Sequence, residues 1–517
     1  MKNDEKFLYY ILNNIPNILP IFSNNFPFSF SQIPYITNSN LSKFIYKNVI
    51  KIYLNLNNFI NKFYFNDIYE FKKSDIVLIG YTAKIISNTK NEPIGDYSNS
   101  FLKCFLQKNN MNVSELLIFN IKNIKQIFHL LQITSKLRKY NSYILYPVKF
   151  KGENVSNYQI MKDKCKNILE NKIKSYINCS FEISDIDKEN LLNLLKNLDS
   201  YLDFVYSKEF ISYLLSLGYS IRNALCALSP KVVIINSISG LVDRLTAYIS
   251  KFLNMKVVFI PHGIGENINS KFYKYFSIDK IPLDLYISPC YDKDNLYMLY
   301  DNLKICNYGA IIYGYTKNHC FFNKSLDNNK KLNTDSLTIL YATQPLVKDK
   351  VIDKYKFKKF LFKLFEHLSR INCNIIIKVH PRDDIAFYKD IINTLQIKNV
   401  EFSTKGPPFF ISEIKRADIA LVHFSSIAYE AILAGTPVIS IIPEELERYV
   451  RSYKNVNVPV FYESEIEKFI NILSKSNVKD YLSKLRESQQ QILEQTLLSN
   501  DSLSLFLTTI EKLLKST

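Results

Sequence analysis

The stretch from Ala417 to Ile442 constrains this chain more than any other. It reads as an apolar strand (Ala417–Val422), a short turn (His423, Phe424, Ser425, Ser426) and a helix (Ile427–Leu433). A Gly435-Thr436-Pro437 stop and a second apolar strand (Val438–Ile442) follow. Short apolar runs bounded by turn signals are strands buried on both faces. Two such strands joined through one helix lie parallel, connected by a right-handed crossover. Ala428, Ala431 and Ala434 let that helix lie close on the sheet. The unit predicts an open parallel α/β sheet, whose ligands bind beyond the carboxyl ends of its strands.

The same alternation recurs on both sides of a polar, aperiodic stretch at 316–336. Before it, strands are expected at 75–80, 116–119, 143–146, 232–235 and 257–260. Helices are expected at 121–139 and 241–253, with further helical periodicity over 185–228. After it come strands at 338–341, 374–379 and 400–402 and a helix at 356–371. We therefore expect an α/β fold, with two doubly wound Rossmann-like domains facing a central cleft. The first spans 71–315 and the second, nucleotide-binding one 337–480, with 316–336 as linker and helices over 481–517. Residues 1–70, rich in Asn, Phe and Tyr, carry no assignable role. The 517 residues, 47% hydrophobic and 22% charged, suit two sizeable cores.

Lys and Arg outnumber Asp and Glu by 66 to 48, a net +18. Such a surplus favours polyanions, phosphorylated substrates or an anionic membrane surface, unless the lysines only solvate a large surface. No nucleic-acid-binding signature accompanies it, so nucleic acid is not an expected partner. The eight cysteines are scattered without a CxxC pair, which points to reduced thiols and a cytoplasmic location. Residues 1–30 are apolar only in patches, so no signal peptide is expected, and no run approaches a membrane span. Membrane contact, if any, is then peripheral, on the inner face.

Polar residues follow directly on several expected strands: Ser237 and Ser239, His262, Gln344, His380, and Ser425 with Ser426. Hydroxyls and free N–H groups at a helix start make an anion site, although serines there also serve simply as caps. In Lys378-Val379-His380-Pro381, the imidazole can donate to a phosphate oxygen while Lys378 and Arg382 add positive potential; a His-Pro pair is also a common turn. Glu430, one turn into the helix, can bind a sugar hydroxyl or sit on a solvated face. His423 can contact the same ligand, whereas His129 and His367 read as structural. Asp383-Asp384 reads as a helix start rather than a metal-binding pair.

The series Tyr341-Ala342-Thr343-Gln344-Pro345, Lys378-Val379-His380-Pro381 and His423 through Pro437 resembles the second domain of bacterial capsule-type GT-B transferases. These are the polysialyltransferases, the β-Kdo capsule transferases and the CDP-glycerol glycerophosphotransferases. The resemblance covers roughly 232–442. It implies that His380, Ser425 and Ser426 bind the phosphate of a nucleotide-activated donor, joined by Gln344, Lys378, Pro381 and Glu430. It implies a nucleotide-sugar donor, CMP-linked sialic acid or Kdo being favoured, and a capsule or lipopolysaccharide glycan as acceptor. Where the sialyl and Kdo enzymes carry an acid before a glycine, this chain has Pro261-His262-Gly263 with Glu266 just beyond. That departure is closer to the glycerophosphotransferases and leaves a CDP-alcohol donor open.

A general base must take the acceptor's hydroxyl proton, and an imidazole with a pKa of about 6.5 suits that task. His262 is the expected base, with Glu266 orienting it or replacing it. No cofactor beyond the donor is expected, and no metal. A sugar-nucleotide 2-epimerase of the same architecture would need acids facing the sugar ring, and a non-catalytic scaffold would need none of these groups.

Overall fold

The computed structural model describes residues 2–18, 71–81, 97–118, 141–145, 158–178, 192–193, 195–236, 240–260, 281–288, 304–307, 336–348, 351–380, 383–404, 411–425, 427–497 and 502–516. In chain order the first part holds α1 (Lys2–Asn13), α2 (Ile15–Ile18), β1 (Ile76–Tyr81), α3 (Tyr97–Lys108), β2 (Val113–Ile118) and β3 (Ser142–Leu145). There follow α4 (Tyr158–Asn178), α5 (Leu198–Val205), α6 (Lys208–Leu228), β4 (Val232–Ile235), α7 (Leu241–Phe252), β5 (Lys256–Phe259), β6 (Leu285–Ser288) and β7 (Lys304–Asn307). All seven strands pair in parallel in the order β3-β2-β1-β4-β5-β6-β7.

The second part holds β8 (Leu337–Ala342), α8 (Lys354–Leu368), β9 (Cys373–Lys378), α9 (Ile385–Thr394), β10 (Val400–Ser403), α10 (Ile411–Arg416) and β11 (Ile419–Val422). Next come α11 (Ile427–Leu433), β12 (Val438–Ile442), a run of 3-10 turns over Glu444–Val456, β13 (Val460–Tyr462), α12 (Ile466–Leu473), α13 (Val478–Leu497) and α14 (Ser502–Lys515). Its six strands are again all parallel, in the order β10-β9-β8-β11-β12-β13. Both sheets run outward from a central strand, then return to its other side. The doubly wound, Rossmann-like pattern expected for each half of a GT-B fold is thus present twice.

Local chemistry sets the element ends. Ser207 caps α6 by accepting from Phe210 N. Asp353 caps α8 through Tyr355 N and Lys356 N, and Asp384 caps α9 through Ala386 N. Each cap satisfies donors that the first helical turn leaves open. Gly435 closes α11 at φ 80°, a left-handed conformation that a side chain resists. The expected helix at 121–139, Ser237 and Ser239, and nearly all of the linker at 316–336 lie outside the described residues.

Three features bear on how the sheets are finished. Residues 2–18 supply Phe7, Ile11, Leu12, Ile15 and Ile18 to the first core, each fully buried. A fully buried side chain of this kind is worth roughly 1.5–3 kcal/mol. Phe7 packs edge-on against Tyr219 and Phe252, which anchors α1 to α6 and α7. At the other end of the chain, α14 inserts Phe506 and Ile510 into the cluster formed by Ile76, Leu78, Leu106, Val232 and Ile234. Lys231 Nζ also donates to Leu514 O at 3.2 Å. The helix just before α14 belongs elsewhere: Gln489, buried on α13, accepts from Val438 N at 2.9 Å and donates to Val438 O at 2.7 Å. The boundary expected at 480/481 therefore falls inside α13.

Inside the first domain, α3 covers a line of buried polar groups. Lys103 Nζ donates to Ser142 Oγ at 2.6 Å, and Ser142 Oγ donates to Glu115 Oε2 at 2.9 Å. Asn99 donates to Glu115 Oε1 and to Ile79 O, and Asn236 donates to Asn99 Oδ1. Lys103 and Glu115 are fully buried, their charges 3.8 Å apart. Burial holds the Lys103 ammonium below its usual pKa, with Glu115 opposing the shift. The line fixes the helix to four strands at once, because any break leaves a buried charge or amide unsatisfied.

Candidate functional site

The second sheet changes direction between β8 and β11, since the chain leaves β8 for β9 and β10 before returning to β11. In open α/β sheets that switch point, at the carboxyl strand ends, is where a crevice forms. Three chain segments emerge around it: Thr343-Gln344 after β8, Val379-His380 after β9, and His423-Phe424-Ser425 after β11. β9 and β11 are the two immediate neighbours of β8. With strands about 4.8 Å apart, the two flanking ends stand roughly 10 Å from one another. His380 and Ser425 are both half-buried, so neither is sealed inside the core.

Hydrogen bonds tie the three segments together. Thr343 N donates to Lys378 O at 3.0 Å, and His380 N donates to Thr343 Oγ1 at 2.9 Å. On the opposite side Phe424 N donates to Gln344 Oε1 at 2.9 Å, bridging the switch point itself. A backbone N–H can only donate, so this bond fixes which end of the Gln344 amide is the oxygen. Gln344 thus commits one lone pair of its carbonyl to the protein. Ser425 Oγ accepts from Ile427 N at 3.4 Å, and Ser425 O accepts from Tyr453 Oη at 2.8 Å. The Phe424 ring stacks on Tyr449 at 4.6 Å. α11 behind these residues is only seven residues long.

The charged groups below the rim differ from their expected roles. Lys378, expected to touch a donor, is 6% exposed, and its Nζ donates to Val379 O at 3.2 Å. Burial lowers the ammonium's pKa, while the negative charges of Glu413 and Glu430 raise it. Glu430 is half-buried rather than on an open solvated face. Burial pushes its carboxyl up to about 7, and only Lys378 opposes that shift. Asp383 accepts from Tyr388 Oη at 2.7 Å and from Asp384 N at 3.0 Å, yet burial still raises its pKa. Asp384 caps α9, so this acidic pair begins a helix as expected.

His423 is a core residue. Its Nδ1 is 2.8 Å from Ile441 O and its Nε2 is 2.7 Å from Tyr341 Oη. A carbonyl can only accept, so Nδ1 carries the proton and Nε2 accepts from the tyrosine. Burial pushes the imidazole down to about 4, partly offset by the carbonyl. Both nitrogens are used inside the fold, which removes His423 from any ligand-binding list. His367, expected to be structural, is also buried, its Nδ1 2.7 Å from Lys363 O.

His262, Glu266, Pro381 and Ser426 lie outside the described residues, as do Arg382 and His129. Among the described residues, no group of three or more His, Cys, Asp or Glu side chains could hold a metal ion. Nor is any described helix long and apolar enough to cross a membrane.

Residues 303–499 match a family model described as a protein of unknown function (DUF354). No curated protein matches the sequence significantly. Among solved structures, the chain is similar to MurG of Acinetobacter baumannii, at 10% identity and TM-score 0.43, over 84% of this chain and 99% of that one. It is similar to a glycosyltransferase from Rickettsia africae ESF-5 at 11% identity and TM-score 0.43, over 86% of this chain and 100% of that one. It is also similar to the UDP-GlcNAc 2-epimerase of Neisseria meningitidis, solved bound to UDP-GlcNAc, at 12% identity and TM-score 0.45. That match covers 84% of this chain and 99% of the other.

Proposed function

We propose that this chain is a GT-B glycosyltransferase that grips the phosphate of a nucleotide-activated donor between the ends of β9 and β11. One observation carries the reading. His380 and Ser425, far apart in sequence, end the two strands flanking β8 at the sheet's switch point, and both keep part of their surface open. An imidazole and a hydroxyl on opposite sides of a gap of roughly 10 Å suit a phosphate group. Glu430 and Lys378 then act from beneath the rim, setting its charge rather than touching the phosphate.

In this reading an acceptor hydroxyl attacks the anomeric carbon while the bond to the nucleotide phosphate breaks. His262, or Glu266 in its place, accepts the hydroxyl proton, and His380 with Ser425 stabilises the charge left on the departing phosphate. The favoured donor is a CMP-sugar, sialic acid or Kdo, and the acceptor a capsule or lipopolysaccharide glycan; the support is the resemblance of the Gln-Pro, His-Pro and Ser-Ser segments. Pro261-His262-Gly263 supports a second reading, transfer of glycerol phosphate or a polyol phosphate from a CDP-alcohol. The positive surplus supports peripheral docking on anionic lipid.

A hydrolysis and transfer screen with CMP-sugars, UDP-sugars and CDP-glycerol tests all of this. Turnover of a CMP-sugar supports the first reading and turnover of CDP-glycerol the second. Release of a free epimer from UDP-GlcNAc would replace both, and no binding of any nucleotide would end the proposal.

A further inference from the structure

Thr343 and Gln344, the two residues that follow the central strand, reach in opposite directions. Thr343 Oγ1 accepts from His380 N on the β9 side, and Gln344 Oε1 accepts from Phe424 N on the β11 side, both at 2.9 Å. We propose that Thr343 and Gln344 form a yoke of positioning residues that sets the separation of His380 and Ser425, and with it the anion that fits between them. The identity of that anion rests on the function proposed above; the yoke does not.

On the β9 side the bonds converge on one turn. His380 N donates to Thr343 Oγ1, and Asp383 N donates to His380 O at 2.8 Å. Tyr388 Oη donates to the Asp383 carboxylate at 2.7 Å, which pins that turn to α9. His380 is therefore held at both its backbone nitrogen and its backbone oxygen. A hydroxyl at Thr343 supplies the acceptor that the His380 amide needs. Thr343 is only 3% exposed, a place where valine would fill the same volume and offer no acceptor.

On the β11 side the hold is single at the amide but backed by packing. Gln344 fixes Phe424 N, Tyr449 stacks on the Phe424 ring, and Tyr453 Oη fixes Ser425 O at 2.8 Å. Because the two yoke residues are adjacent on one strand end, the flanking segments cannot shift relative to one another without breaking one of these two bonds. A site preorganised in this way keeps more of its contact energy for the ligand.

The test uses the full-length chain with Thr343→Val, Thr343→Ser and Gln344→Leu, at a temperature well below every variant's melting point. Two readings are taken: fragment-resolved hydrogen exchange over 376–380 and 423–428, and affinity for CMP, CDP, UMP and UDP by calorimetry. Thr343→Val should speed exchange at His380 by about tenfold while sparing Phe424, and Gln344→Leu should do the reverse. Thr343→Val should weaken nucleotide binding by about tenfold or more, and Thr343→Ser should restore both readings to within about threefold. Unchanged exchange at His380 and unchanged affinity in Thr343→Val would overturn the yoke, as would equal damage from Thr343→Ser. Should the unaltered chain bind none of the four nucleotides, the proposed function falls, and the exchange rates alone then decide the yoke.

Discussion

Tyr341 donates its phenolic proton to His423 Nε2 across 2.7 Å, and both side chains are closed to solvent. His423 passes the connection on to Ile441 O, so one imidazole joins β8, β11 and β12. Phe357 and Phe360 of α8 pack against the same ring at 5.5 and 5.9 Å. Tyr341→Phe keeps the packing and leaves Nε2 buried without its donor. The expected cost is about 1–3 kcal/mol, read from the urea midpoint of the second domain. A midpoint equal to that of the unaltered chain would show that the bond contributes nothing net.

The same histidine sets a pH dependence. Its folded pKa, about 4, lies below the ordinary value of 6.5. Between those values the unfolded chain binds a proton that the folded chain refuses, so stability rises with pH across that window. Taking the chain from pH 7 to pH 4 should remove up to roughly 3 kcal/mol through this group. Denaturant midpoints at pH 7, 5.5 and 4.5 check the slope, and His423→Leu should flatten it.

Glu430 works in the other direction. Its carboxyl is raised from 4.5 to about 7, so between those values the folded state keeps a proton that the unfolded state has released. Stability from this group is complete below pH 4.5 and is lost as pH climbs through 7. Glu430→Gln carries a permanent neutral amide, and should melt higher than the unaltered chain at pH 8 but not at pH 4.5. Melting curves at the two values decide it; a variant that melts lower at pH 8 would mean that the ionised carboxylate is needed by Lys378.

His380→Ala and Ser425→Ala probe the phosphate grip. Each removes a donor from one side of the gap and should weaken nucleotide binding by about tenfold or more, with little change in melting temperature because both are half-buried. Calorimetry with CMP and UDP makes the comparison. Undiminished affinity in both variants would place the nucleotide elsewhere.

Phe506→Ala should act on the first domain although it lies far along the chain. Its ring is fully buried against the first sheet's cluster. Truncations of this kind cost about 3–5 kcal/mol. If the two domains melt separately, only the transition of the first should move, as followed by exchange protection of β1 and β4.

Much of the fold could be read from the sequence because parallel strands buried on both faces are unbroken apolar runs. Val232–Ile235, Ile427–Leu433 and Val438–Ile442 stand where the periodicity placed them. The strands that escaped notice, Leu285–Ser288, Lys304–Asn307 and Val460–Tyr462, are three or four residues long with mixed composition, too short for a pattern to declare itself. At the site, position was legible and orientation was not. The sequence placed Gln344, Lys378, His380 and Ser425 at strand ends, but it could not tell that Lys378 turns inward or that Gln344 answers Phe424 N. His423 went the same way: one polar letter beside a serine pair looks like a ligand until its neighbours use both of its nitrogens. Such pairings join residues about 80 positions apart, and only the sheet order brings them together.

The packing of α14 on the first sheet has a consequence for how the molecule is made. On the ribosome the strands of the first sheet emerge early, but the cluster of Ile76, Leu78, Leu106 and Val232 lacks Phe506 and Ile510 until residues 502–515 have been synthesised. The second sheet, with its own helices, is complete by then. The half that is translated first thus receives its last core side chains from α14.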